Sequence, residues 1–219
     1  MVAILVYYWY RYRVQQALKL ERIRTKISTD LHDDIGSTLS SISILSDMAL
    51  KDGVSLQSAG MISEIKENSL SLMEKMDDIV WSINPMNDSL ENLLMRTKKF
   101  AIRLFEARLI DYRIEIGENI KSVYLPMEFR QHIYLILKEA INNLVKYAEA
   151  SNAEITADYN NHLLLVTIKD NGKGFEPAPI PGGNGLLNMK SRATIMQGTL
   201  KIASNPGAGT VITLQVKIK

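Results

Sequence analysis

The 219-residue chain contains no cysteine. That excludes disulfide and thiolate–metal chemistry and fits a reducing compartment. Its three histidines, His32, His132 and His162, lie too far apart for zinc-ligand spacing. The formal net charge is +2, too near zero for the basic footprint of a nucleic-acid binder. Proline is missing from about residue 13 to 84, and only Gly36, Gly53 and Gly60 punctuate that stretch, which therefore permits long helices. No apolar run reaches the ~20 residues of a full membrane span. The most apolar segment, residues 2–10 (VAILVYYWY), is followed by Arg11, Arg13, Lys19, Arg22, Arg24 and Lys26 with only Glu21 opposing them. Aromatic residues just ahead of basic ones mark the cytoplasmic end of a span. Residues 1–12 are thus read as the end of a transmembrane segment at the inner (cytoplasmic) membrane, with the rest in the cytoplasm. The other reading is an apolar start to a cytosolic coiled coil. The pattern argues against a signal peptide, because no basic segment precedes the apolar run and no small-residue cleavage site follows it.

With 46% hydrophobic and 23% charged residues, the chain can bury a core in one or two domains. Two helical stripes occupy the proline-poor region, one through Leu31, Ile35, Leu39, Ile42 and Leu45, the other through Ile62, Ile65, Leu72, Met76, Ile79 and Ile83. Lys51-Asp52-Gly53 separates them and Asn84-Pro85 ends the second. One hairpin cannot hide both stripes, so a homodimer closing a four-helix bundle is expected over residues 13–87. The pattern then mixes. A helix N-capped by Asp88 runs to about Leu109, Tyr112–Ile116 alternates as a strand, and Pro126 opens a helix reaching about Ala150. Alternating runs 153–159 and 163–169 flank a turn at Asn160-Asn161. Residues 171–185, with five glycines and three prolines, form a loop. A short helix at about 184–196 and a hairpin turning at Gly207-Ala-Gly209 complete the chain, with Ile212, Leu214, Val216 and Ile218 facing inward. The fold class is α+β: an all-α hairpin followed by an α/β sandwich over 88–219.

His32 lies beside Leu31, at the edge of the first stripe and within reach of solvent. With a reference pKa of about 6.5, much of an imidazole is neutral at neutral pH and offers a nucleophilic nitrogen. Asp33 can accept a hydrogen bond or proton from that ring. Gly36, one turn below, leaves room for a phosphate or a partner domain. The same residues also suit a surface histidine in an acidic first turn. The segment LHDDIGSTLSSI, however, resembles the phosphoacceptor motif of the histidine-kinase subfamily in which an acidic residue directly follows the histidine. The resemblance covers residues 13–219.

Four later segments resemble, in order, the ATP-binding boxes shared with gyrase, Hsp90 and MutL. In Lys138-Glu-Ala-Ile-Asn-Asn143-Leu-Val-Lys146, Glu139, Asn143 and Lys146 share one helix face. Ile133, Leu137, Ala140, Ile141, Leu144 and Ala148 form another face, suited to packing on a sheet. The resemblance implies that Asn143 coordinates Mg2+, Glu139 supports it and Lys146 meets a phosphate of ATP. In Asp170-Asn-Gly172-Lys-Gly174-Phe, Asp170 is implied to accept from the adenine amino group while Gly172 and Gly174 let backbone approach the nucleotide. Gly182-Gly183-Asn184-Gly185 places amides at a helix start, where the dipole favours phosphate. Thr210, after Gly209, stands close to where the family closes the pocket. The stretch 175–185 is long enough to act as a lid.

The resemblance implies a sensor kinase that phosphorylates His32 from ATP and passes the phosphoryl group to an aspartate of a response regulator, as a membrane-attached homodimer. Two departures stand out. Tyr147 occupies the position where many members carry histidine. Ser37, five residues after His32, replaces the glutamine common in members that dephosphorylate their partner. Two other readings compete: an ATPase clamp in which Glu139 activates water, and a non-catalytic dimeric scaffold.

Overall fold

The computed structural model describes residues 2–30, 35, 37–38, 41–42, 44–45, 48, 56–84, 87–121, 123–176 and 184–218. His32, Asp33 and Gly183 lie outside the described residues. The chain divides into two compact units, residues 1–81 and 82–219.

In the first unit, helix α1 (Val2–Asp30) runs unbroken through the aromatic and basic segments. No described helix is long and apolar enough to cross a membrane. Tyr8, Trp9 and Tyr10 are exposed on α1, and the Arg13 guanidinium stacks over the Trp9 ring at 5.4 Å. Helix α2 (Leu56–Ile83) carries the second stripe. Only half of that stripe is covered: Ile65, Leu72 and Ile79 are half-buried, whereas Ile62 and Met76 are exposed. Met73 and Val80 join Met76 on an uncovered row with spacings of three and four, which places them on one helix face.

The second unit is a five-stranded sheet with helices on one face. Its elements are α3 (Leu90–Ala107), β1 (Asp111–Ile116), a 3-10 turn (Glu118–Ile120), α4 (Met127–Tyr147), β2 (Asn152–Asn160), β3 (Leu163–Asp170), α5 (Asn184–Ile195), β4 (Thr199–Ser204) and β5 (Thr210–Lys217). Strand order is β1-β2-β3-β5-β4. Only β1–β2 is parallel; the other pairs are antiparallel. Alternation along β2, β3 and β5 sends Ala153, Ile155, Leu164, Val166, Ile168, Leu214 and Val216 to the helix side, where Ile133, Leu137, Ala140, Ile141 and Leu144 of α4 meet them. Each fully buried aliphatic side chain contributes about 1.5–3 kcal/mol, so this interface fixes where α4 lies on the sheet. Ala148 is only half-buried, because α4 has ended at Tyr147.

Two local expectations are corrected. The cap of α3 is Ser89, whose Oγ accepts from Asn92 N at 3.1 Å, and not Asp88. Asp88 instead accepts from the buried guanidinium of Arg130, which also donates to the Ser82 carbonyl. A buried arginine needs a carboxylate more than an exposed helix end does. The β2–β3 turn is Asn161-His162 and not Asn160-Asn161, since Asn160 pairs with Leu163. Both turn residues have positive φ, 50° and 63°, as a two-residue hairpin requires.

Candidate nucleotide site

Two groups of expected residues come together in the second unit. On α4, Asn143 Nδ2 donates to Glu139 Oε1 at 3.2 Å. Gly185, in the first turn of α5, lies against that pair: a Cβ there would collide with the Glu139 carboxylate and come 3.7 Å from Asn143 Nδ2. A helix N-terminus therefore abuts a carboxylate and an amide side chain, which together suit an anion and its counter-cation. Lys146 is exposed one turn further along α4. No hydrogen bond or ion pair joins it to Glu139 or Asn143 among the described residues.

The second group is centred on Asp170, at the end of β3. Its side chain is buried, and Oδ1 accepts from the amides of Gly172 at 2.8 Å and Thr210 at 3.3 Å. Oδ2 makes no hydrogen bond with the described residues. Burial raises the carboxyl pKa above its ordinary value, while the Gly172 and Thr210 amides act in the opposite direction. Thr210 pairs with Asp170 across β3–β5 and is itself buried.

The loop after Asp170 is held by contacts with the protein's own backbone. Gly172 packs so closely on the end of α4 that a Cβ would overlap the Ala148 carbonyl, and Lys173 N donates to that same carbonyl at 2.7 Å. Gly174 has φ 60° and its Cβ would overlap the Asn205 carbonyl. Both glycines thus allow close approach between two stretches of the chain's own backbone. The loop is also joined to the residues just after α4 by the exposed Lys173–Glu149 ion pair at 2.7 Å, which lowers the Glu149 pKa through its hydrogen bond.

Two residues of the site carry no obvious signal in the sequence. Asn171 Oδ1 accepts from Ser151 N at 3.1 Å and Asn152 N at 2.9 Å, tying the loop to the start of β2. Ser204, buried at the end of β4, bonds Phe175 N, Gly209 O and the Thr210 hydroxyl. An Asn after a strand-ending Asp is a turn signal and nothing more, and an alternating strand gives no reason to single out Ser204.

Residues 129–219 match the family described as histidine kinase-, DNA gyrase B- and HSP90-like ATPases. Residues 24–88, which contain His32, match a second family described as histidine kinase. The chain belongs to the histidine kinases. This histidine kinase is 26% identical over 199 residues to the signal transduction histidine-protein kinase/phosphatase UhpB of Salmonella typhimurium. The alignment covers 89% of this chain and 39% of that protein, so the chain spans well under half of its relative. The fold is that of solved histidine kinases. Acinetobacter baumannii AdeS superposes with a TM-score of 0.56 at 14% identity, covering 87% of this chain and 98% of that one. Full-length ShkA, solved with AMPPNP, superposes with a TM-score of 0.59 at 14% identity, covering 88% and 45%.

Proposed function

We propose that this histidine kinase binds ATP at the Asp170 and Glu139–Asn143 groups, phosphorylates its own His32, and passes the phosphoryl group to an aspartate of a response regulator. The observation that carries the reading is the Asp170 carboxylate. It is buried, held by two amides through Oδ1, and keeps Oδ2 for a donor such as the adenine amino group. Gly172, Gly174 and Thr210 maintain that end of the site. At the other end, Gly185 presents the start of α5 to the phosphates and Lys146 supplies a cation.

The residues present fit Mg2+. The Asn143 amide turns its nitrogen to Glu139, which frees Oδ1 as a ligand, and Mg2+ ordinarily takes few protein oxygens and completes its shell with phosphate and water. Bound there, the ion would neutralise phosphate charge. In the transfer, a neutral His32 nitrogen forms the N–P bond as the bond from the γ-phosphorus to the β,γ-bridging oxygen breaks and ADP leaves. Asp33 receives the hydrogen bond or proton of the imidazole.

We assign the domains as residues 1–12, the end of a membrane segment at the inner membrane, 13–87, the dimerisation and phosphotransfer hairpin, and 88–219, the ATP-binding domain. The uncovered row Met73, Met76 and Val80 on α2 supports a homodimer, since a second copy would bury it. The exposed Trp9–Arg13 segment supports attachment to a membrane surface. The deciding experiment is incubation with γ-labelled ATP and Mg2+ beside His32→Gln. Acid-labile, alkali-stable label on the wild type alone is the expected result. Hydrolysis without protein label would replace this reading with an ATPase clamp.

A further inference from the structure

Asp170, Thr210 and Ser204 form one row across three strands: Asp170 pairs with Thr210 across β3–β5, and Thr210 pairs with Ser204 across β5–β4. All three are buried, at 6%, 8% and 6% exposure, on the sheet face that the helices cover. The Ser204 hydroxyl stands within hydrogen-bond distance of Phe175 N (2.9 Å), Gly209 O (3.0 Å) and Thr210 Oγ1 (3.0 Å). An amide N–H only donates and a carbonyl only accepts, and the serine has one proton. All three bonds are satisfied in one arrangement alone. Ser204 donates to Gly209 O, accepts from Phe175 N–H, and accepts from the Thr210 hydroxyl.

One hydroxyl thereby holds three segments around Asp170: the loop leaving the carboxylate, the β4–β5 turn, and the Thr210 side chain. Thr210 and the Asp170 loop are the same elements whose amides engage Asp170 Oδ1. We propose that Ser204 is a positioning residue for the nucleobase end of the site, setting the geometry of Asp170 and Thr210 without touching the ligand. The inference rests on the reading that adenine meets Asp170. Removing the hydroxyl leaves a part-buried amide, a buried carbonyl and a buried hydroxyl without this partner, each of which carries a desolvation cost when unsatisfied. The segments then shift to find other partners.

The test is titration of the 219-residue chain with ATP and, separately, with adenosine, which has the base but no phosphates. Ser204→Ala should weaken both by the same factor, about tenfold for one lost hydrogen-bonding centre. It should raise the KM for ATP in autophosphorylation while saturating ATP restores the rate. Ser204→Thr, which returns the hydroxyl, should recover most of the affinity, and Ser204→Cys, a weaker hydrogen-bonding group that keeps the volume, should fall between. If Ser204→Ala does not fold, the Thr and Cys variants decide. Wild-type affinity in Ser204→Ala or Ser204→Cys, or a loss for ATP with adenosine unchanged, would overturn the inference. A wild-type chain that binds neither ligand would overturn the nucleotide reading as well, and so is distinguishable from failure of the Ser204 role alone.

Discussion

Asp170→Asn separates what the carboxylate does for the fold from what it does for a nucleotide. The substitution keeps the shape, and the asparagine Oδ1 can still accept from Gly172 N and Thr210 N. Both bonds weaken, because a charged acceptor roughly doubles the strength of a neutral one. Against that, the carboxylate is buried and its pKa is raised, with desolvation the largest cause, so a neutral amide escapes a cost that the charge incurs. The two effects oppose, and stability should change by no more than about 1 kcal/mol. Binding has no such offset. A hydrogen bond to a charged acceptor is worth about 1.5–3 kcal/mol, and the amide nitrogen now meets the adenine amino group donor to donor, so ATP affinity should fall about 100-fold or more. The pH dependence follows from the same shift. A raised folded-state pKa means that protonation of Asp170 favours the fold; this contribution is full below the unfolded value and lost as pH rises through the folded value. Nucleotide binding needs the ionised form, so wild-type affinity should begin to fall on acidification at a pH above the ordinary aspartate range, and the Asn variant should lack that transition. Thermal unfolding and ATP titration across pH, on both proteins, give the two readouts. Wild-type ATP affinity in Asp170→Asn, or a collapse of its folding, would refute the reasoning.

Other substitutions probe the scaffold around it. Gly172→Ala must displace the Ala148 carbonyl and breaks its 2.7 Å bond from Lys173 N; overpacking of this kind should cost about 1–3 kcal/mol in chemical denaturation. Gly185→Ala meets the movable end of Glu139, with Cδ 3.2 Å from the new Cβ, so the fold should survive. Affinity for ATP with Mg2+ should drop about tenfold, one displaced hydrogen bond's worth, while adenosine binding stays. Ser89→Ala removes the cap on Asn92 N and should cost about 1 kcal/mol of stability, with ATP affinity unchanged; a binding defect there would contradict the placement of the site.

Local chemistry is legible in the amino-acid sequence alone. Periodicity locates α4 and the strands, because a buried face repeats every 3.6 or 2 residues whatever its partner. The shared face of Glu139, Asn143 and Lys146 follows from helix geometry, and the Gly-rich segment marks the loop after Asp170. The His32–Asp33 reading likewise rests on sequence, and it lies outside the described residues. What the sequence leaves open depends on partners far along the chain. Asp88 and Ser89 are both good caps, and Arg130, 42 residues away from Asp88, decides between them. The stripe on α2 carries no mark of which half the chain covers, and the fold leaves Met73, Met76 and Val80 outside. Ser204 becomes part of the site only when strand pairing sets it beside Thr210. A hydrophobic pattern specifies which face is buried. Which polar atoms meet within that burial is set by register and packing, and these exist only once the chain has closed on itself.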